Sequence, residues 1–204
     1  YKKLVNNFSF SSKNELSIFL KDSAFQKIFI ICGDKSYKLS GAEKIFSSLL
    51  VGKKTKYFFK KSTYTDLIEL EKIIVELKIF SPDLIIGVGG GSVIDYAKVA
   101  NVLTSSQNLR KEIPNSTYKI GKKFTKLIAI PTTAGSGAEV TSNSVVYFNK
   151  IKYSVESDEL KPDYFFLMPE LVIGGSNKIL VQTMTNTLTT DVKSTLEQIN
   201  RVVD

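Results

Sequence analysis

Apolar positions along this chain switch repeatedly between two periods. Lys27-Ile28-Phe29-Ile30-Ile31-Cys32 is an unbroken β-rich run closed by Gly33-Asp34, the pattern of a strand buried on both faces. From Ser36 to Leu50 the apolar residues Leu39, Ala42, Ile45, Phe46, Leu49 and Leu50 fall at helical spacing and predict one helix. Lys56-Tyr57-Phe58-Phe59 predicts the next strand. Leu67, Leu70, Ile73, Ile74 and Leu77 then predict an amphipathic helix, with Asp66, Glu69 and Glu71 near its start. Pro82-Asp83 precedes a strand over Leu84-Ile85-Ile86-Gly87-Val88, and a helix runs from Val93 to about Thr104. After an Asn- and Lys-rich connection, Lys126-Leu127-Ile128-Ala129-Ile130 predicts a further strand, stopped by Pro131. Such β-α-β alternation implies an α/β fold: a Rossmann-like parallel sheet with helices on both faces.

From Asn143 the pattern changes to short β-type runs at Ser144–Phe148, Tyr153–Val155 and Tyr164–Leu167. Gly174-Gly175-Ser176-Asn177 reads as a linker, and six threonines between Thr183 and Thr195 weaken helix propensity beyond it. The expected division is an α/β domain over 1–174 and the opening of a second domain over 175–204.

Composition removes several chemistries. The 204 residues include no histidine, so a Ser-His-Asp triad, a Cys-His pair and a His-ligated metal are impossible within them. A single cysteine, Cys32, excludes an internal disulfide framework and a Cys-rich zinc site. No apolar stretch is long enough to span a bilayer, and the N-terminal residues lack the features of a signal peptide, so the expectation is a cytoplasmic protein. The chain begins with Tyr1 rather than Met and reads as a fragment, with any histidines outside it. The net charge of +8 comes from 28 basic and 20 acidic residues, but only two of the 28 are arginine. Dispersed lysine clusters with core-type aromatics read as a solvated surface that would favour an anionic ligand, not as a nucleic-acid interface.

Two glycine loops carry the candidate chemistry. Gly87-Val88-Gly89-Gly90-Gly91-Ser92 sits where a strand turns into a helix. Consecutive glycines let a ligand approach the backbone, and a helix N-terminus offers free N–H groups to a pyrophosphate. The loop is neither the G-x-G-x-x-G fingerprint, whose third glycine falls on Ser92, nor a Walker A loop. A structural alternative is a capping box formed by Ser92 and Asp95, worth about 1 kcal/mol. The second loop, Ile130-Pro131-Thr132-Thr133-Ala134-Gly135-Ser136-Gly137, ends another predicted parallel strand. Its hydroxyls at Thr132, Thr133 and Ser136 suit phosphate, ribose or an amide. The structural alternative there is a serine turn with Ser136 and Glu139 as a second capping box. Two such loops at strand carboxyl ends favour nucleotide binding.

The segments Gly89–Lys98 (G-G-G-S-V-I-D-Y-A-K) and Pro131–Thr141 (P-T-T-A-G-S-G-A-E-V-T) resemble the paired signatures of the iron-containing alcohol dehydrogenases. The wider superfamily includes glycerol dehydrogenase and dehydroquinate synthase. Gly33-Asp34-Lys35-Ser36 through Gly41, Lys150 to Pro162-Asp163, and Pro169-Glu170-Leu171 extend the similarity over most of the chain. The resemblance implies an N-terminal dinucleotide-binding domain, an all-helical metal-binding domain after it, and NAD(P)-dependent hydride transfer between an alcohol and an aldehyde. It implies cofactor contacts from Gly89, Gly90, Gly91, Ser92, Thr132, Thr133, Ser136 and Lys152. Asp34 falls where a carboxylate accepts the adenosine ribose hydroxyls and disfavours NADP, so NAD is the expected cofactor; a helix N-cap is the alternative for Asp34.

The family also implies a divalent metal, iron or zinc, held partly by an Asp and a His four residues apart. Counted without gaps, those positions here are Asn186 and Thr190, both poor ligands, so no metal site is expected from these residues. Remaining expectations are a small-molecule alcohol or aldehyde substrate, self-association into a homo-oligomer, and no nucleic-acid or membrane partner. Alternatives are a dehydroquinate synthase or glycerol-phosphate dehydrogenase relative, or a non-catalytic dinucleotide-binding protein.

Overall fold

The computed structural model describes residues 8–10 and 13–172. The linker predicted at Gly174–Asn177, the segment 175–204, and the positions Asn186 and Thr190 lie outside the described residues.

Among the described residues six parallel strands form the central sheet: β1 (Phe8–Phe10), β2 (Lys27–Gly33), β3 (Lys54–Lys60), β4 (Leu84–Gly89), β5 (Lys126–Pro131) and β8 (Tyr164–Leu167). Their spatial order is β1-β8-β5-β4-β2-β3. The chain therefore steps outward from β2 to β3, then crosses back to lay β4 on the other side of β2. That reversal between β2 and β4 is the topological switch point, where open α/β sheets take ligands.

Helices cover both faces, as predicted. On one face α1 (Lys13–Asp22), α2 (Asp34–Leu39) and α3 (Ala42–Leu49) pack over Ile28, Ile30, Leu84, Ile86, Ile128 and Ile130. On the other, α4 (Leu67–Phe80) and α5 (Gly91–Val102) bury Phe29, Ile31, Ile85 and Leu127. Alternate residues of β2 thus feed opposite cores, which is why its apolar run has no polar break. A short helix, α6 (Leu109–Glu112), follows α5. None of the described helices is long and apolar enough to cross a membrane.

Several local expectations are corrected. The single helix predicted over 36–50 is two, because Gly41 takes a left-handed φ of 79° and breaks the run between α2 and α3. The predicted capping boxes are also absent. Gly90, not Ser92, is the N-cap of α5 and makes no side-chain cap bond; Ser92 lies inside the first turn. No helix starts at Ser136, only a turn in which Ala138 N donates to Ser136 Oγ at 3.5 Å. The short runs after Asn143 also separate. β6 (Asn143–Phe148) and β7 (Ile151–Glu156) make an antiparallel hairpin beside the sheet, whereas β8 returns to the parallel sheet next to β5.

Candidate functional site

At the carboxyl ends of the strands the structure brings the two glycine loops into contact. β4 and β5 run in register to Gly89 and Pro131, and Thr132 N donates to Gly89 O at 3.0 Å. Beyond that bond the second loop passes directly over the start of α5. A Cβ on Gly90 would lie 3.2 Å from Thr133 Oγ1, and one on Gly91 would lie 3.0 Å from Ser136 Cβ. Both distances are tighter than most Cβ contacts, so loop-on-loop packing favours Gly90 and Gly91, a demand invisible in either motif alone. A side chain at Gly90 would first meet Thr133.

The amides at the start of α5 have no carbonyl four residues behind them within the helix, so they and the helix dipole favour an anion. Thr133 and Ser136 are exposed beside them, and Ser92 is half-buried. Thr132 is 1% exposed, and its Oγ1 has no hydrogen-bond partner. A buried hydroxyl without a partner is costly unless something else supplies the bond. Among the predicted site residues it is the one with a buried, partnerless polar atom.

Asp34 is exposed at the end of β2, on the opposite side of the switch point from β5. The N-cap of α2 is Gly33, with no side-chain cap bond, so Asp34 is not the cap. Its carboxylate is left to solvent at the crevice. Lys152, also exposed, sits on β7 opposite Tyr147, near enough for its charge to act on the Asp95 carboxyl. Burial pushes the Asp95 carboxyl above its ordinary value, and the positive charges of Lys98 and Lys152 oppose that rise. Asp95 Oδ2 accepts the Val145 N–H at 3.3 Å, which ties α5 to β6.

Two side-chain arrangements at this edge were not singled out from the sequence. Lys98 is fully buried on α5, and its Nζ donates to Ala138 O, Thr141 Oγ1 and Asn143 O at 3.0, 3.2 and 2.6 Å. Burial pushes its ammonium down to about 8, against the opposing pull of Asp95 and Glu139. The available signal was a charge within the apolar run Val93 to Val102, where a buried cation must find acceptors. The second is Glu69 on α4. It accepts N–H bonds from Lys61 and Ser62 and the hydroxyl proton of buried Tyr96, at 2.7, 3.1 and 2.8 Å. Burial alone would raise this carboxyl, but these donors together hold it below its ordinary value. The network moors the β3–α4 connection to α5, with Asp66 N donating to Tyr96 Oη at 2.6 Å.

Among the described residues no group of three or more His, Cys, Asp or Glu side chains gathers as a metal site would require.

Known proteins match this architecture and these loops. The family model for the iron-containing alcohol dehydrogenases matches residues 8–169. An alcohol dehydrogenase of Thermococcus barophilus is 40% identical over 108 residues, covering 50% of this chain and 29% of that protein. The 1-propanol dehydrogenase PduQ of Citrobacter freundii is 30% identical over 182 residues, covering 88% of this chain and 45% of that protein. Among solved structures, an iron-containing alcohol dehydrogenase from Thermococcus thioreducens superposes with a TM-score of 0.69 at 26% identity. That superposition covers 81% of this chain and 46% of the other. Sulfoacetaldehyde reductase from Bifidobacterium kashiwanohense, solved with NAD+, reaches 0.70 over 81% of this chain and 44% of that one. At 22% identity it speaks for the fold alone. The chain spans less than half the length of each of these four proteins. With both glycine signatures inside the matched span, the chain belongs to the iron-containing alcohol dehydrogenase family.

Proposed function

We propose that the α/β domain, taken as residues 1–174, is the NAD-binding part of an oxidoreductase acting on a small alcohol or aldehyde. The observation that carries this reading is the contact of the two glycine loops beside the switch point, with the partnerless Thr132 hydroxyl beneath them. The pyrophosphate would lie against the amides of Gly91 and Ser92 at the start of α5. Thr132, Thr133 and Ser136 would donate hydroxyl bonds along the second loop. Asp34 would accept the adenosine ribose hydroxyls, and its negative charge would repel a 2′-phosphate, so NADP would bind less well. Lys152 would place a positive charge near the cofactor.

NAD, when bound, supplies the hydride acceptor for alcohol oxidation. The work left to these residues is to bind the dinucleotide and orient it at the carboxyl edge of the sheet. The metal named by the family finds no donor set among the described residues.

Thr132→Val tests the reading because it keeps the side-chain shape and removes only the hydroxyl. With no protein partner to lose, the fold should keep its stability or gain up to about 1 kcal/mol. NADH affinity by calorimetry should fall about tenfold. Unchanged NADH affinity would overturn the assignment.

A further inference from the structure

Lys98 lies seven residues beyond Gly91 on α5, two turns along the same helical face. Its three hydrogen bonds all go to residues 138–143, the stretch that leaves the second glycine loop and enters β6. The loop's other end is held by sheet pairing at Pro131 and by the bond from Thr132 N to Gly89 O. Between these anchors Gly135 and Gly137 adopt left-handed φ values of 100° and 61°, so the loop has little regular structure of its own. Its spacing from the start of α5 depends on what holds its exit.

We propose that Lys98 is a positioning residue for the cofactor: its ammonium clamps the exit of the second glycine loop to α5, the helix whose N-terminus faces the pyrophosphate. This inference rests on the NAD-binding reading above. Because one rigid helix carries both the first loop and the clamp, the two halves of the site are set at a single distance. A neutral side chain of similar size would leave the carbonyls of Ala138 and Asn143 without their donor, and the loop would lose its registration on Gly90 and Gly91. The groups facing Lys98 are Asp95 on α5 itself and Glu139 on the loop exit, with Lys152 on β7 acting on Asp95. Those carboxylates keep the ammonium charged at neutral pH despite complete burial. Above about pH 8 the clamp loses its charge.

Two measurements on the full chain decide the point, each on wild type, Lys98→Met and Thr141→Val. Hydrogen exchange without cofactor should show the amides of residues 132–142 exchanging at least about tenfold faster in Lys98→Met, with those of β2–β4 unchanged. Calorimetry should show NADH binding about tenfold weaker in Lys98→Met and about threefold weaker in Thr141→Val. Wild-type affinity should decline from pH 7 to 9.5, and Lys98→Met should be flat over that range. A purely structural lysine would not move that profile. Equal loop exchange in wild type and Lys98→Met, or NADH affinity independent of pH in wild type, would overturn the clamp. If Lys98→Met does not fold, Thr141→Val decides, and wild-type values for it would also overturn the clamp. Failure of wild type to bind NADH at any pH would instead overturn the cofactor reading, while the exchange data would still show whether Lys98 holds the loop.

Discussion

Asp83 and Lys27 exchange hydrogen bonds across the amino end of the sheet: Lys27 N donates to both Asp83 carboxylate oxygens at 3.0 and 3.1 Å, and Asp83 N returns a bond to Lys27 O at 2.9 Å. Gln26 N adds a second donor to the carboxylate at 2.8 Å. Asp163 does the same for the next pair of strands. It accepts Leu127 N at 3.0 Å and donates its own N–H to Leu127 O at 3.0 Å. Each aspartate follows a buried proline, Pro82 or Pro162, which extends the chain into the strand and removes an amide that would otherwise need a partner. The amino edge of the sheet is thus moored by carboxylates, and the carboxyl edge is left to the glycine loops.

Asp83→Ala should therefore destabilise the fold, because it leaves the Gln26 and Lys27 amides without their acceptor. The expected loss is about 1–3 kcal/mol in denaturant unfolding, with Asp83→Asn intermediate. A loss below about 0.3 kcal/mol would show that solvent replaces the carboxylate.

Gly91→Ala should push the two loops apart. Its Cβ would stand 3.0 Å from Ser136 Cβ, closer than side-chain carbons normally approach, at an expected cost of about 1–3 kcal/mol. In a Ser136→Gly background that cost should largely vanish. A double-mutant cycle without coupling would mean that the contact is not what constrains Gly91.

Cys32 should be inert in the native protein. It is completely buried, and burial together with the nearby Asp34 charge pushes its thiol up to about 12 from 9.0. Ellman's reagent at pH 8 should react only at the rate of unfolding. The folded state keeps its proton where the unfolded thiol has already lost it. This stability is fully present below about pH 9 and is lost as pH rises from 9 toward 12, by about 1.4 kcal/mol per pH unit. Cys32→Ala should remove that part of the alkaline slope; an unaltered slope would assign it to other groups.

Asp34→Gly should narrow the preference for NADH over NADPH. The side chain is exposed and caps nothing, so stability should change by no more than about 0.5 kcal/mol. Paired titrations with the two cofactors check this. A ratio equal to that of wild type would remove Asp34 from the ribose site.

Much of the fold was written in the chain itself. Parallel strands buried on both faces must be continuously apolar, and Ile28–Cys32, Leu84–Val88 and Leu127–Ile130 announce themselves for that reason. The first glycine loop stood out because Gly89-Gly90-Gly91 interrupts the apolar pattern where a strand turns into a helix. Local pattern failed where distant chain decided the outcome. Ser92 and Asp95 have the spacing of a capping box, yet Gly90, extended just after β4, becomes the cap, while Asp95 turns to the Val145 amide. Nothing local to Gly90 or Gly91 says that Thr133 and Ser136 will press against them; that follows from the pairing of β4 with β5. Lys98 makes the division plainest. The sequence determined that a charge sits in an apolar helix, and a buried charge must have acceptors. Only the packing of residues 138–143 across α5 decided which carbonyls those would be, because hydrogen bonds between positions 40 or more residues apart exist only once the chain has folded.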